Sequence, residues 1–171
     1  MGFFERIFGA RRLDLPDIPF GRYTDAYKTA AQTAAWNRSL ELFDADKHLE
    51  SYQEFFTYLR DEQVDNVNWS QDGETIRFEF WQGSQRITGL ATPDKVMAES
   101  KVARTKDLNV GFLRRLMEYN YNLKFCRFAL DPDNNLAIRF DSAGTDASPL
   151  KLLHALRELA IHADKQDDLL L

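Results

Sequence analysis

The last third of the chain, from Leu116 to Leu171, most constrains the fold, because apolar residues recur there first at the spacing of a β-strand and then at that of a helix. Apolar side chains at every second position flank the turn Asp131–Asn135, which predicts a β-hairpin with one buried face. The alternating residues are Cys126, Phe128, Leu130, Leu136, Ile138 and Phe140. A helix then begins at Ser148, a natural N-cap, with Pro149 at its first position. We expect this helix to lie across the hairpin, because its apolar residues share one side. They are Leu152, Leu153, Leu156, Leu159, Ala160 and Ala163.

This order of elements, from Glu118 through the Asp-Asn turn to the last helix, resembles the C-terminal half of the YbjN-like family. It is also similar to the broader type III secretion chaperone-like fold. The resemblance implies an α+β domain that forms homodimers. It further implies that exposed apolar patches and sheet edges take up extended or helical segments of partner proteins, without a nucleotide.

Composition and charge narrow the class of protein. The 171 residues are 44% hydrophobic and 29% charged, enough for one domain with a sizeable core. A net charge of −5 makes nucleic acid an unfavourable partner, because neutralising phosphates needs a basic surface. The single cysteine, Cys126, excludes an internal disulfide and suits a reducing compartment. No apolar run approaches the roughly 20 residues of a membrane span. We therefore expect a cytoplasmic protein.

Charge is unevenly distributed along the chain. Residues 41–74 hold ten acidic side chains against Lys47 and Arg60, whereas residues 95–115 carry a net charge of +4. Complementary potentials of this kind steer association with a charged partner or with a second copy. Charge runs are also commonly just solvated faces, and the sequence leaves both interpretations open.

The N-terminus combines an apolar arm with an extended connector. Four large apolar residues stand at helical spacing in seven positions: Phe3, Phe4, Ile7 and Phe8. A membrane interface, a partner groove or the chain's own core could cover them, and membrane contact is the less favoured of these. Residues 13–21 are predicted to be an extended connector, because Pro16 and Pro19 each bias the residue before them away from helix.

Two helices are predicted next. An alanine-rich stretch from Thr24 to about Phe43 is typical of a helix, although its apolar stripe is weak. Asp46 is placed to cap a second helix with an aromatic face. That face consists of Leu49, Tyr52, Phe55, Phe56 and Leu59. Since members of the resembled family usually start with one such helix, we assign residues 1–45 to an N-terminal arm and helical extension, and 46–171 to the chaperone-like domain.

The centre of the chain is predicted to be β. Ile76, Phe78 and Phe80 alternate with polar residues, and glycines at 73 and 83 indicate hairpin turns on both sides. Residues 96–102 fit a strand or a helix beginning at Pro93, and we favour the strand. A further helix runs from Asn109 to Tyr121. The predicted fold class is α+β: an antiparallel β-sheet with helices packed on it, plus the N-terminal helical extension.

The search for chemistry yields no catalytic, cofactor-binding or metal site. Asp131, Asp133 and Asn135 imitate a calcium loop, but a hairpin turn explains them better because later ligand positions are unsuitable. His154 and His162 are interpreted as exposed helix residues without metal-ligand spacing. Cys126 lies on the apolar side of its strand and is interpreted as an inert core thiol.

We therefore predict a non-enzymatic, chaperone-like module that binds segments of partner proteins, with no cofactor. Trp69 and Trp81 are the candidate contacts, and ordinary core packing is the alternative for each. The helix at 109–121 carries two apolar stripes. One holds Val110, Leu113 and Met117; the other, the predicted homodimer interface, holds Phe112, Leu116 and Tyr119. The alternative function is a peripheral membrane or assembly adaptor acting through Phe3, Phe4 and Phe8.

Overall fold

A computed structural model describes residues 28–63, 65–104 and 109–165, which form one six-stranded sheet and four α-helices. The helices are α1 (Ala30–Asp44), α2 (His48–Leu59), α3 (Val110–Asn122) and α4 (Pro149–Asp164). The strands are β1 (Val67–Asp72), β2 (Thr75–Gln82), β3 (Gln85–Ala91), β4 (Lys95–Arg104), β5 (Arg127–Leu130) and β6 (Asn135–Ala143). The predicted α+β class is confirmed. The strand favoured over a helix for residues 96–102 is confirmed too, because these residues lie in β4.

All neighbouring strands are antiparallel, in the order β1-β2-β3-β4-β6-β5, so β1 and β5 are the two edges. Side chains alternate between two faces. On β2 the buried Ile76, Phe78 and Phe80 face the helices, whereas Arg77 and Trp81 on the other face are exposed. The core therefore lies between one sheet face and a layer of helices.

Two tight turns and one close approach shape this sheet. Gly73 and Gly83 adopt positive φ angles of 57° and 55° in the two-residue turns on either side of β2, a conformation that glycine tolerates best. Gly89 on β3 lies beneath the Phe78 ring, and a Cβ there would stand 2.2 Å from Cζ of that ring. The missing side chain leaves the space that the Phe78 ring occupies beside this strand.

Helices α1 and α2 pack on each other as an antiparallel pair, with the Trp36 ring 6.5 Å from Phe55 and 4.9 Å from Tyr58. A capping box formed by Thr29 and Gln32 starts α1. The boundary predicted at residue 45 thus falls between two helices of the same layer. The predicted cap at Asp46 is wrong: Lys47 is the N-cap of α2, and Asp46 adopts a positive φ of 59° in the preceding turn.

Helix α4 crosses the sheet against β2, β3, β4 and β6, as its apolar side predicts. Ser148 Oγ accepts the Lys151 N–H at 3.3 Å, so the predicted N-cap is confirmed. Leu152, Leu156 and Leu159 are fully buried, whereas Leu153 is only half-buried. Burying each such leucine contributes about 1.5–3 kcal/mol, which makes α4 the main cover of the sheet.

Candidate partner-binding surfaces

The β5 edge of the sheet is closed by a side chain from α3. Asn120 Nδ2 donates to the Phe128 carbonyl at 3.2 Å, and the Phe128 N–H donates to Asn120 Oδ1 at 2.7 Å. One carboxamide thus satisfies both backbone groups of Phe128, as a neighbouring strand would. A strand edge capped in this way cannot accept another strand at that position.

A second side chain, Glu158 of α4, binds the backbone N–H groups of the residues just before β5. Its carboxylate accepts the N–H groups of Lys124, Phe125 and Cys126 at 2.9, 2.8 and 2.9 Å. Hydrogen bonds to an ionised carboxylate are stronger than those between neutral groups. Glu158 therefore fixes the connection between α3 and β5 onto α4.

At the β1 edge, by comparison, no side chain of the described residues closes the strand. The two-residue turn after Asp72 makes Asp72 and Thr75 a hydrogen-bonded pair, and bonded and non-bonded pairs alternate along an antiparallel ladder. Counting back, the N–H and C=O groups of Gln71, Trp69 and Val67 point away from β2. Within the described part of the chain, no hydrogen bond outside the ladder reaches the backbone of β1.

A cleft of about 690 Å³ lies beside this open edge. Its lining includes Thr29 and Gln32 at the start of α1, Arg60 directly after α2, and Trp69 of β1. Trp69 also borders a second cleft of about 390 Å³, which continues across β1, β2 and β3. Its ring packs 6.4 Å from Phe56, and its indole N–H has no acceptor among the described residues. The predicted contact residue Trp69 is therefore half-buried at the junction of two clefts.

Helix α3 carries the largest exposed apolar stripe of the described residues. Val110, Met117 and Tyr121 expose 83%, 69% and 89% of their surface. The other stripe faces the chain's own core: Leu116 is buried, Phe112 is half-buried, and the Tyr119 ring lies 6.2 Å from Phe128. Of the residues predicted for a dimer interface, Leu116 and Phe112 are thus covered within the chain and Tyr119 is exposed, whereas Val110, Leu113 and Met117 are all exposed.

The remaining predicted contacts lie elsewhere. Trp81 is exposed on the sheet face away from the helices, as its position on β2 predicts, opposite Arg86 of β3. Phe3, Phe4 and Phe8 of the N-terminal arm lie outside the described residues. Among the described helices, none is both long enough and apolar enough to cross a membrane.

The residues considered for chemistry have structural contacts. Cys126 is buried, burial raises the pKa of its thiol, and Sγ donates to the Ala155 carbonyl at 3.4 Å. His154 and His162 were predicted to be exposed, but both are half-buried; His154 stacks on Phe125, and burial lowers the pKa of His162. Across residues 28–63, 65–104 and 109–165, no three His, Cys, Asp or Glu side chains converge as metal ligands.

Asp131 organises the β5–β6 turn. Its carboxylate accepts the N–H groups of Asp133 and Asn135 at 2.9 and 2.8 Å, and Asn135 Nδ2 at 2.7 Å. Lys101 Nζ of β4 lies 3.2 Å away. The hydrogen bond from the Asn135 side chain is the largest cause that lowers the pKa of Asp131 to about 2. These contacts are those of a hairpin turn, as predicted from the sequence.

No protein-family profile matches the chain, and no curated protein matches it significantly. Solved structures with some likeness to the chain include three protein complexes. One is the ExsC–ExsE complex, with 15% identity and a TM-score of 0.43 over 74% of this chain and 92% of that one. Another is the Yersinia pestis type III secretion chaperone SycH in complex with a stable fragment of YscM2, with 17% identity and a TM-score of 0.45 over 68% and 97%.

The third is the ExoU–SpcU complex of the type III secretion system of Pseudomonas aeruginosa, with 14% identity and a TM-score of 0.36 over 70% of this chain and 92% of that one. None of the three is described as a YbjN-like protein. Identities of 14 to 17% and TM-scores below 0.5 make these distant likenesses.

Proposed function

We propose that this chain is a non-enzymatic, chaperone-like module of the cytoplasm that binds an extended segment of a partner protein along the β1 edge. The open edge is the observation that carries this proposal. Asn120 and Glu158 cap the opposite end of the sheet, whereas the outward groups of Trp69 and Gln71 have no partner within the described residues. An added strand would satisfy these groups.

The cleft beside β1 supports the same use. Strand addition supplies affinity through the main chain and specificity through pockets for alternate side chains. A cleft of about 690 Å³ that begins at Trp69 can receive the side chains on one face of an added strand.

We further propose that two copies associate through the exposed stripe of α3. Leaving large apolar side chains in water forgoes about 1.5–3 kcal/mol each, and a two-fold partner offers the same stripe in return. Met117→Glu should then yield a folded monomer in sedimentation equilibrium, while wild type is a dimer. A wild type that stays monomeric at high micromolar concentration would remove this part of the proposal.

The edge-binding proposal is tested with Gln71→Pro. Proline removes the outward N–H of Gln71 and places its ring on the open edge, while Ser70 and Asp72 keep their pairing with β2. Peptides of 12 residues are selected from a displayed random library on the wild-type protein, and their affinities are measured by titration. We expect Gln71→Pro to weaken binding at least about tenfold, or 1.4 kcal/mol.

The matched control is Gln71→Ala, which removes the same side chain but keeps the backbone N–H. Binding to Gln71→Ala should stay within about twofold of wild type. Selected peptides that bind Gln71→Pro and wild type equally, or that shift the amide resonances of β5 instead of β1, would overturn the proposal.

A further inference from the structure

The smaller cleft beside β1, of about 390 Å³, lies on the sheet face opposite to the helices. Five polar residues of three strands line it: Asn68, Ser70, Arg77, Glu79 and Thr88. They pair with one another across the strands and share the face of the exposed Trp81, because side chains alternate along a strand. Arg60 and Trp69 line this cleft and also the larger one of about 690 Å³. The two clefts therefore meet beside β1.

A segment added along β1 would face both clefts. Its side chains alternate between the two faces of the sheet, whichever direction the segment runs. The residue opposite Ser70 would point to the face of the smaller cleft. The residues before and after it would point to the helices and the larger cleft. The two sets of partner side chains therefore meet different chemistry.

Two arginines give the smaller cleft its charge. Arg77 stands directly opposite Ser70 on β2, and the short serine side chain leaves room for the arginine to extend across β1. Arg60, directly after α2, lines the same cleft. Both are exposed, and neither forms an ion pair within the described residues. Glu79 accepts a hydrogen bond from Arg86 Nε at 3.0 Å, so its charge is already balanced.

The larger cleft has the opposite sign. Arg38 in its lining is bonded to Glu54 at 2.7 Å, which leaves Arg60, Asp61 and Glu62 as its other charged residues, a net charge of −1. Counted in the same way, with Glu79 balanced, the smaller cleft carries +2. Complementary potentials decide which side chains a surface accepts. A partner carboxylate is therefore favoured on one face of an added strand and disfavoured on the other.

We infer that the partner segment carries an Asp or Glu side chain opposite Ser70, where Arg77 and Arg60 bind its carboxylate, and neutral or basic side chains at the two adjacent positions. The inference rests on the proposed use of β1 as the binding edge and adds the chemistry of the partner. Arginine suits this role, because its planar guanidinium donates two parallel hydrogen bonds to a carboxylate.

The test is a double-mutant cycle on the 12-residue peptides selected on the wild-type protein. Each Asp or Glu of a peptide is replaced in turn by Asn or Gln, and affinities are measured on wild type and on Arg77→Gln. One replacement should weaken binding to wild type about fivefold, the upper end for an exposed ion pair, and should have no effect on Arg77→Gln. Arg60→Gln should reduce the same loss. Moving the carboxylate by one position should bring no gain over the amide peptide.

The matched control is Lys95→Gln, which removes a positive charge from an exposed position of β4 on the same sheet face, outside both clefts. It should keep the fivefold preference for the carboxylate. Equal losses on wild type, Arg77→Gln and Lys95→Gln would overturn the inference, as would selected peptides that lack Asp and Glu. A charge swap gives a second measurement, because Arg77→Glu should prefer the peptide with Lys at the same position.

Gln71→Pro separates this inference from the proposed function. Peptides that bind Gln71→Pro more weakly but show no carboxylate preference refute the inference and leave the function standing. A carboxylate preference that Arg77→Gln removes, in peptides that bind Gln71→Pro as tightly as wild type, refutes strand addition and supports the carboxylate site. Acetate that binds at Arg77 as tightly as the peptides do would make a free anion the occupant and would overturn the inference.

Discussion

The two edge strands of the sheet, β5 and β1, differ in how their outward backbone groups are hydrogen-bonded. At β5, Asn120 pairs with both backbone groups of Phe128, and Glu158 takes up the N–H of Cys126. At β1, the outward groups of Trp69 and Gln71 face a cleft and find no partner within the described residues. Exposed edges are a liability that proteins usually suppress. The proposed binding edge rests on this contrast: β5 is closed by Asn120, whereas β1 has no partner among the described residues.

The largest expected effect comes from disrupting α4, which covers the strands that lie between the two edges. Leu156→Asp places a carboxylate at a fully buried position of α4, and an unpaired buried charge costs several kcal/mol. We expect the variant to be largely unfolded in circular dichroism and thermal melting. Both edges should then lose their slow amide exchange together.

The control is Leu150→Asp on the same helix, where the native side chain is 52% exposed. This variant should melt close to wild type. A Leu156→Asp protein with unchanged melting temperature would show that α4 does not cover the sheet as described.

An intermediate effect is expected from opening the closed edge. Asn120→Ala leaves the N–H and C=O of Phe128 without their partner, which costs about 1–3 kcal/mol in urea unfolding. The Phe128 amide should exchange faster, and β5 should begin to bind the extended peptides for which we propose β1 as the binding edge.

Asn122→Ala is the matched control, because the Asn122 side chain donates only to the Glu118 carbonyl within α3. It should leave both stability and Phe128 exchange close to wild type. If Asn120→Ala also leaves Phe128 exchange unchanged, another group closes β5 and the contrast between the edges loses its stated cause.

The smallest expected effect concerns acid stability at the β5–β6 turn. Hydrogen bonds, above all from the Asn135 side chain, lower the pKa of Asp131 from 3.8 to about 2. A lowered pKa contributes stability that is fully present above the ordinary value and is lost as pH falls through about 2. Wild type should therefore lose more melting temperature than Asp131→Asn between pH 4 and about pH 2.

The comparison variant is Asp133→Asn, an exposed neighbour in the same turn that supplies its backbone N–H to Asp131 rather than a carboxylate. Its melting curve should follow wild type through the acid range. If Asp131→Asn and wild type lose melting temperature in parallel, the Asp131 carboxylate is not what stabilises this turn.

Local periodicity predicted much of the fold, because it depends on neighbours in the chain. The alternation at Ile76, Phe78 and Phe80 and the helical spacing of Leu152, Leu156 and Leu159 both led to the correct elements. The cap of α2 could not be predicted in the same way. Asp46 has the residue type of an N-cap, but the turn from α1 places it in a left-handed conformation, one residue too early.

The candidate site was harder to predict from the sequence, because its features depend on contacts between residues that are far apart in the chain. Asn120 and Phe128 are eight positions apart, and Cys126 and Glu158 are 32 apart, with no periodicity linking them. The two stripes of α3 were visible, but the side from which the helix meets β5 decides that Leu116 is buried and Met117 exposed. Which stripe of α3 is buried therefore depends on how the helix packs on the sheet, and the helix sequence alone does not determine it.

The contact of Glu158 with the α3–β5 connection has a consequence for synthesis on the ribosome. Its carboxylate binds the Cys126 N–H from 32 residues further along the chain. At about 5–20 residues per second, about 2–6 seconds pass between the synthesis of Cys126 and the synthesis of Glu158. During that interval Asn120 is already available to Phe128, but the α3–β5 connection lacks its carboxylate partner until the C-terminal helix is made.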